Sequence, residues 1–375
     1  LNFSGTSSNR YAGITTVSVG KLELSKTNAT AIPGPLTIGD NVTPTNNATV
    51  QSLRINQIED TAPVVVNSSG TLSFDPFNAP SETIGSLAGA GHVNLMLTAL
   101  TLAGNADSTF DGVISGFNAG QILKTGYGVW TLNGTNNSIG ATFVNAGKIV
   151  VNGASVGPLQ LNFFSALGGT GVVGDVSGTL AKIAPGNSVG RITTGNLMLM
   201  NGSSSLDVQL NGTTPGSGYD QILVNGGVNL TNPTLNVSMT FPGAVGNQYV
   251  IIANDFSDAI NGTFKNLPEG TNFLAGGAQF QITYKGGDGN DVVLTQMTVP
   301  TPSQIGGITA LPNGQIGLSG SGSAGASYDI EANLDLGTTN WVKLGTVQAG
   351  QNGAISFIDL DAPNHAMRFY RFKAQ

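Results

Sequence analysis

The chain is 375 residues long, more than the usual ~100–200 residues of one domain, which predicts two or more structural units. Glycine supplies 54 residues, whereas only 9% of the residues are charged, against about 25% in ordinary soluble domains. The 39% of hydrophobic residues exclude a simple disordered chain, which pairs low hydrophobicity with high charge. A net charge of −7 argues against nucleic acid and anionic membranes as partners, and no apolar run is long enough to span a bilayer.

Reactive residue types are few in this sequence. The absence of cysteine excludes thiol catalysis, disulfides and cysteine-ligated metals. The two histidines, His92 and His365, lie far apart in unlike contexts, so neither a Ser-His-Asp triad nor a two-histidine metal site is expected. We interpret His92 as a residue of a solvated turn and His365 as a structural loop residue.

Short alternating runs of apolar residues follow one another along the chain, and Gly, Asn, Asp or Ser separates them. This pattern is typical of strands joined by tight turns and predicts an all-β protein. Asn-Gly pairs, which accept positive φ angles easily, mark the expected turns. The clearest runs cover residues 21–24, 147–151, 197–200, 205–210 and 234–239.

An internal repeat indicates which all-β architecture this is. Residues 13–24 align with residues 140–151, with glycines, apolar positions and a lysine at a constant offset. A strand-turn-strand unit of this size cannot bury its apolar face alone, whereas stacked copies bury a continuous core. Sparse charge fits such stacking, because like charges would otherwise face each other at about 4.8 Å. The repeat therefore predicts a solenoid.

Three consecutive motifs carry a resemblance to a known family: Phe-Asp-Gly-Val-Ile-Ser-Gly at 110–116, the Gly-Tyr-Gly-Val-Trp-Thr-Leu-Asn-Gly run at 126–134, and Ala-Thr-Phe-Val-Asn-Ala-Gly at 141–147. They resemble the autotransporter-associated β-strand repeat of large secreted bacterial proteins. The resemblance implies that residues 1–297 form a right-handed parallel β-helix located outside a bacterial cell or on its surface. It supplies no catalytic residue.

The composition of the sequence changes near residue 298. Residues 298–304 form a proline-rich linker. Residues 305–375 carry short strands with aromatic residues at Tyr328, Trp341 and Tyr370, and resemble a small immunoglobulin- or fibronectin-like β-sandwich. We expect these three aromatic side chains to pack in or beside the core of that domain rather than to form a sugar platform.

One metal site can be considered. Asp288 and Asp291 lie in a Gly-Gly-Asp-Gly-Asn-Asp-Val-Val-Leu run at 286–294, which matches the nonapeptide of calcium-binding β-rolls. A β-roll needs stacked copies and only one is present, so a glycine-rich hairpin is the favoured interpretation and calcium at Asp288 and Asp291 is the alternative. No other cofactor is expected.

The first residues suggest a contact for self-association. The segment Leu-Asn-Phe-Ser-Gly at 1–5 corresponds to residues 130–134, so the sequence begins within a repeat. An open strand edge there would leave Leu1 and Phe3 for a neighbouring subunit to cover. We therefore predict Leu1 and Phe3 as a polymer contact.

These observations favour a structural extracellular or cell-surface protein, a self-associating subunit of a fibre, sheath or adhesive stalk without enzymatic activity. A carbohydrate-binding adhesin module is the first alternative, so the expected partners are copies of the same chain or surface glycans. A polysaccharide-degrading β-helix enzyme is the second. For that enzyme, Asp207 and Asp220 are candidate carboxylates, although no basic residue is near them in sequence.

Overall fold

A computed structural model describes residues 1–42, 47–117, 119–136, 140–299, 301 and 303–374. The described chain consists of strands, turns and one short 3-10 turn at Ala362–Asn364, which confirms the predicted all-β class. Pro300 and Pro302 of the predicted linker lie outside the described residues.

The strands are short, most of them three to six residues, as the turn-punctuated sequence predicts. In chain order they are β1 (Asn2–Phe3), β2 (Thr15–Val17), β3 (Gly20–Leu24), β4 (Leu36–Ile38), β5 (Ala48–Ser52), β6 (Pro63–Val66), β7 (Gly70–Phe74), β8 (Ser81–Ile84), β9 (Ser86–Gly89), β10 (His92–Asn94), β11 (Ala99–Leu102), β12 (Ser108–Phe110), β13 (Val113–Ser115), β14 (Gln121–Lys124), β15 (Val129–Leu132), β16 (Thr135–Asn136), β17 (Thr142–Val144), β18 (Lys148–Val151), β19 (Ala154–Ser155), β20 (Leu159–Leu161), β21 (Ala166–Gly168), β22 (Val172–Val173), β23 (Val176–Thr179), β24 (Lys182–Ile183), β25 (Arg191–Thr194), β26 (Leu197–Met200), β27 (Ser205–Leu210), β28 (Gln221–Val224), β29 (Val228–Thr231), β30 (Thr234–Met239), β31 (Gln248–Asn254), β32 (Asn261–Thr263), β33 (Asn272–Ala275), β34 (Ala278–Gly286), β35 (Asp291–Gln296), β36 (Gln304–Ala310), β37 (Ile316–Ser321), β38 (Ser327–Asn333), β39 (Val342–Gln348), β40 (Ala354–Asp359) and β41 (Phe369–Ala374).

The strands from β1 to β32 form a parallel β-helix with three faces. Face 1 is made of two sheets in succession. The first is β1-β3-β5-β7-β10-β13, and the second, β16-β19-β22-β25-β28-β31, begins with β16, which contacts β13. Face 2 is the sheet that runs from β8 through β11, β14, β17, β20, β23, β26 and β29 to β32, and face 3 is the eleven-stranded sheet from β2 to β30. Eleven strands about 4.8 Å apart give a stack about 48 Å long.

The core is built from side chains that repeat at the same position in successive turns of the helix, here called rungs. On face 1, one buried column contains an aliphatic residue from each of five paired strands: Leu22, Val50, Leu72, Val93 and Ile114. Residues on either side of these positions point outward, which is the period of two that the sequence predicts. A single hydrophobic cluster runs through the whole solenoid.

The corner between face 3 and face 1 shows why Asn-Gly recurs. Asn133 Nδ2 donates to Asp111 Oδ1 at 2.6 Å, and Asn152 Nδ2 donates to Asn133 Oδ1 at 2.9 Å, so amides stack from rung to rung. A Cβ on Gly134 would lie 1.8 Å from the Gly112 carbonyl oxygen. At this corner glycine is therefore required by the close approach of two rungs, rather than by the positive φ that the sequence suggested.

Past β32 the pairing changes direction. Strand β35 pairs antiparallel with β31 and with β34, and β33 pairs antiparallel with β34. Residues 272–296 thus close face 1 with a hairpin-like layer instead of another parallel rung. Tyr249 and Phe280 pack edge to face beneath this layer, with ring centroids 6.1 Å apart.

The C-terminal segment forms two antiparallel three-stranded sheets, β36-β37-β40 and β39-β38-β41. They share a small core of Leu318, Tyr328, Ile330, Ala349 and Ile355. This confirms the predicted small antiparallel β-region after the solenoid.

Several polar side chains lie inside the solenoid. The Glu82 carboxylate is buried and accepts the backbone N–H groups of Gln57 at 3.0 Å and Ile58 at 3.1 Å. Lys124 is also buried, and its Nζ donates to the carbonyls of Gly126 and Ala146. Burial raises the pKa of Glu82 to about 7 and lowers the pKa of Lys124 to about 8, because each loses water around its charged form.

The core columns predict that substitutions at neighbouring positions of β14 differ strongly in their effect on the free energy of unfolding. We expect Ile122→Ala, which empties a buried position, to cost about 2–5 kcal/mol in the free energy of unfolding. Gln121→Ala, one residue away and facing outward, is the matched control and should cost less than about 0.5 kcal/mol. Chemical denaturation followed by circular dichroism measures both, and equal losses would contradict the described orientation of β14.

The buried carboxyl group of Glu82 predicts a pH dependence of stability. Its raised pKa means that the neutral form is favoured in the folded protein. The contribution of this protonated carboxyl group to the free energy of unfolding is therefore complete below about pH 4.5 and is lost as pH rises through about 7. We expect Glu82→Gln to melt close to the wild type at low pH and to lose less stability than the wild type on the way to pH 8. The same difference in melting temperature at both ends of the pH range would show that Glu82 does not titrate there.

Candidate functional site

A serine and a histidine meet on the outer surface of face 1. Strands β10 and β13 are adjacent and parallel, with Asn94 opposite Ser115 and His92 opposite Val113. The side chains of His92 and Ser115 are therefore diagonal neighbours, and Nε2 of His92 lies 2.6 Å from Oγ of Ser115. His92 is the first residue of β10, so its interpretation as a turn residue is wrong.

The electrostatics of this pair suit proton transfer. His92 is partly buried, and the loss of water lowers the pKa of its imidazole below the ordinary value. The lowered pKa favours the neutral ring, in which one nitrogen has a lone pair that can accept the Ser115 hydroxyl proton. Among the described residues, no carboxylate hydrogen-bonds to His92, so the pair lacks the orienting acid of a triad.

Sequence reasoning missed this pair because its members are 23 residues apart and belong to different rungs. The rung repeat carries a signal for the pair only once the register between β10 and β13 is known. Aligning 92–94 with 113–115 places a serine two residues past the position that pairs with the histidine.

The second histidine belongs to a different arrangement. His365 Nε2 lies 2.8 Å from Asp361 Oδ2 and 2.7 Å from an Arg368 nitrogen, and Arg368 also bonds Asp359 at 2.6 Å. Hydrogen bonds from Asn364, His365 and Arg368 lower the pKa of Asp361 to about 2. This cluster ties the chain around the 3-10 turn to β40 and β41.

Asp288 lies in the turn between β34 and β35, and Asp291 is the first residue of β35. Asp291 is buried, and its Oδ1 accepts the Asn254 backbone N–H at 2.9 Å. Nearby, the Asn290 side chain donates to backbone carbonyls of the 255–258 loop. No group of three or more potential metal ligands of the His, Cys, Asp or Glu type occurs among the described residues. Calcium binding at this turn stays a prediction.

Asp207 and Asp220, the candidate carboxylates of a polysaccharide-degrading site, do not face the same space. Asp207 faces outward and forms an ion pair with Lys182. Asp220 is buried, accepts the backbone N–H groups of Gly190 at 2.7 Å and Gln209 at 2.8 Å, and has its pKa raised by burial to about 6. Asp220 therefore satisfies backbone donors inside the fold.

The predicted polymer contact lies at one end of face 1. Strand β1 is the outermost strand of its sheet and pairs with β3 on one side. Leu1 is 83% exposed, whereas Phe3 is partly buried against the core. Self-association through Leu1 and Phe3 stays a prediction.

A comparison with known proteins finds a distant relative. Over 176 residues, or 45% of the chain, the sequence is 26% identical to an extracellular serine protease of Serratia marcescens. The matched region spans 16% of that protein, so the chain covers only a small part of its length. No family model matches the chain, and the resemblance to autotransporter-associated repeats stays a prediction.

This similarity bears on two predictions, the absence of enzyme activity and the extracellular location. The prediction of a protein without enzymatic activity is wrong, because the similar protein is named as a protease and thus points to enzyme activity. The extracellular location of that protein and the parallel rungs together favour a secreted β-solenoid. Within the described part of the chain, no helix has the length and apolar character needed to cross a membrane.

The Ser115–His92 geometry predicts a measurable titration. We expect the His92 imidazole to titrate below its ordinary value of about 6.5, because its burial disfavours the charged form. NMR chemical shifts of the ring protons, followed against pH, measure this directly, with His92→Gln to assign the signal. A midpoint above 6.5 would mean that the ring is better solvated, or better paired, than described.

Proposed function

We propose that this chain is the β-solenoid stem of a secreted bacterial protein that has enzyme activity. The observation that supports this most is the uninterrupted parallel ladder of face 3, in which eleven strands follow one another in register. A stack of this kind is rigid along its axis and can hold attached parts at a fixed distance from a surface.

The surface of the stack fits such a role outside the cell. Side-chain amides hold the rung corners, as at Asn133 and Asn152. Because only 9% of the residues are charged, few like charges face each other in successive rungs. Self-association into a fibre is the finer part of this proposal. Light scattering of the chain with and without residues 1–5 tests it, since loss of assembly on deletion is expected if Leu1 and Phe3 form the contact.

Deleting one rung in register tests the stem role. Because Val129 pairs with Lys148, removal of residues 129–147 shortens the stack by one step of about 4.8 Å and lets β18 follow β12 on face 3. In the bacterium that produces the protein, we expect the shortened protein to appear outside intact cells, detected by antibody, in an amount within about twofold of the wild type.

The control is Leu132→Asp, which places a charge in the buried core without changing the length. We expect this variant to be depleted outside the cell. If the shortened protein is lost as completely as Leu132→Asp, or if the wild type is found only after lysis, the stem proposal is wrong.

A second candidate function is favoured by one specific distance, the 2.6 Å between His92 Nε2 and Ser115 Oγ. Here Ser115 is the nucleophile of an acyl-transfer reaction. As Oγ forms a bond to the carbonyl carbon of a substrate, His92 takes the hydroxyl proton and then gives it to the leaving amine or alcohol. Water, deprotonated by His92, then releases the acyl group and restores the serine.

A fluorophosphonate probe tests this second candidate, since an activated serine displaces its fluoride and becomes phosphonylated. We expect labelling of Ser115, located by mass spectrometry, and its loss in Ser115→Ala and His92→Gln. Ser73→Ala is the matched control, because Ser73 occupies the same outward column two strands away but has no histidine bonded to it. Absence of label on the wild type, or label that persists in Ser115→Ala, would eliminate this candidate.

A further inference from the structure

The outer surface of face 2 has a composition unlike that of a plain solvated sheet. Seven paired strands, β14 to β32, place one outward residue each in a single column that runs along the helix axis. Its members are apolar, aromatic or neutral polar: Leu123, Phe143, Gln160, Ser177, Met198, Asn229 and Asn261. We call this the face 2 column.

A groove lies along the second half of this column. It has a volume of about 520 Å³ and is lined by Gln160, Ser177, Met198, Asn229 and Asn261, together with the turns that enter face 2. The turns are held by their own side chains: Asp175 Oδ1 accepts the Asn196 N–H at 2.8 Å, and Asn196 Oδ1 accepts the Gly227 N–H at 2.8 Å. The groove therefore has a fixed border on one side.

Amide groups in the groove are available to a ligand. In the part of the chain that the structure describes, the side chains of Gln160 and Asn261 form no hydrogen bond. An amide presents both donors and an acceptor, which is the combination that recognises hydroxyl groups. Successive rungs place one outward residue of this column every ~4.8 Å, with Ser177 and Met198 between Gln160 and the adjacent amides of Asn229 and Asn261. This regular spacing suits a ligand that is itself a linear repeat.

Two aromatic residues border the opposite side of face 2. Phe163 and Phe164 follow the end of β20 after one intervening residue, and they are 68% and 76% exposed. Both have left-handed backbone conformations, with φ of 50° and 66°. Bulky residues rarely adopt this conformation, which costs about 1–3 kcal/mol at each position, and here no burial offsets that cost. Tyr127, 77% exposed, lies at the same corner two rungs earlier.

The charge of this surface limits what it can bind. Among the groove-lining residues, Asp175 is the charged one, and it is acidic. The Asp175 carboxylate would repel an anionic ligand, and no cation among the groove-lining residues offsets this repulsion. A neutral ligand meets no such repulsion. Exposed aromatic rings beside neutral amides match the two kinds of surface of a sugar, its apolar C–H faces and its hydroxyl groups.

We propose that the outer surface of face 2 binds an extended, uncharged polysaccharide that lies along the solenoid axis. Gln160, Asn229 and Asn261 bond its hydroxyl groups, Met198 supports its apolar faces, and Phe163 and Phe164 stack on sugar rings at the edge. This surface is separate from Ser115 and His92, which lie on face 1, so either proposal can fail without the other.

Isothermal titration with the neutral hexasaccharides cellohexaose and laminarihexaose, and with the acidic hexagalacturonate, tests the proposal. We expect at least one neutral hexasaccharide to bind, and to bind more tightly than hexagalacturonate. The double variants Gln160→Ala/Asn229→Ala and Phe163→Ala/Phe164→Ala should each weaken binding about tenfold or more.

Thr131→Ala is the control, because Thr131 faces outward on face 3. It should leave the affinity unchanged, and melting temperatures close to that of the wild type will show that the double variants are folded. The proposal is overturned if neither neutral hexasaccharide binds the wild type, if hexagalacturonate binds more tightly, or if both double variants bind like the wild type.

Discussion

The parallel main-chain pairing of each strand with its counterpart in the next rung is the constraint on which the rest of the structure depends. It fixes the distance between equivalent residues at about 4.8 Å, so every side chain has a neighbour above and below it. Inside, this creates continuous aliphatic columns such as Leu22 to Ile114. Outside, it disfavours like charges in one column, which explains a chain with only 9% charged residues.

The same constraint shapes the corners. Where two rungs approach within contact of their backbones, as at Gly112 and Gly134, a side chain has no space. Beside those glycines, amides bond from rung to rung, as Asn152 does to Asn133. Polar groups that do enter the core are held by backbone partners, and the cost of their burial appears in the displaced pKa values of Glu82 and Lys124.

The two proposed sites lie on different faces of the solenoid rather than in one cleft. Face 1 places His92 beside Ser115, and face 2 presents neutral amides, methionine and two strained aromatic residues on one surface. A regular scaffold permits this, because outward side chains contribute little to stability and can vary from face to face. The distant similarity to an extracellular serine protease covers only 16% of that protein, so it does not by itself locate an active site on this scaffold.

The sequence by itself determined the all-β class, the solenoid and the small antiparallel region after it, because a period of two within strands and a repeat of whole strand-turn units both appear in the order of residues. Only the tertiary structure decided the antiparallel layer of β33 to β35, the contact of His92 with Ser115 and the face 2 column. These depend on which residues of different rungs lie side by side. Turns in this chain vary in length, so the register between rungs is set by packing and cannot be counted along the sequence.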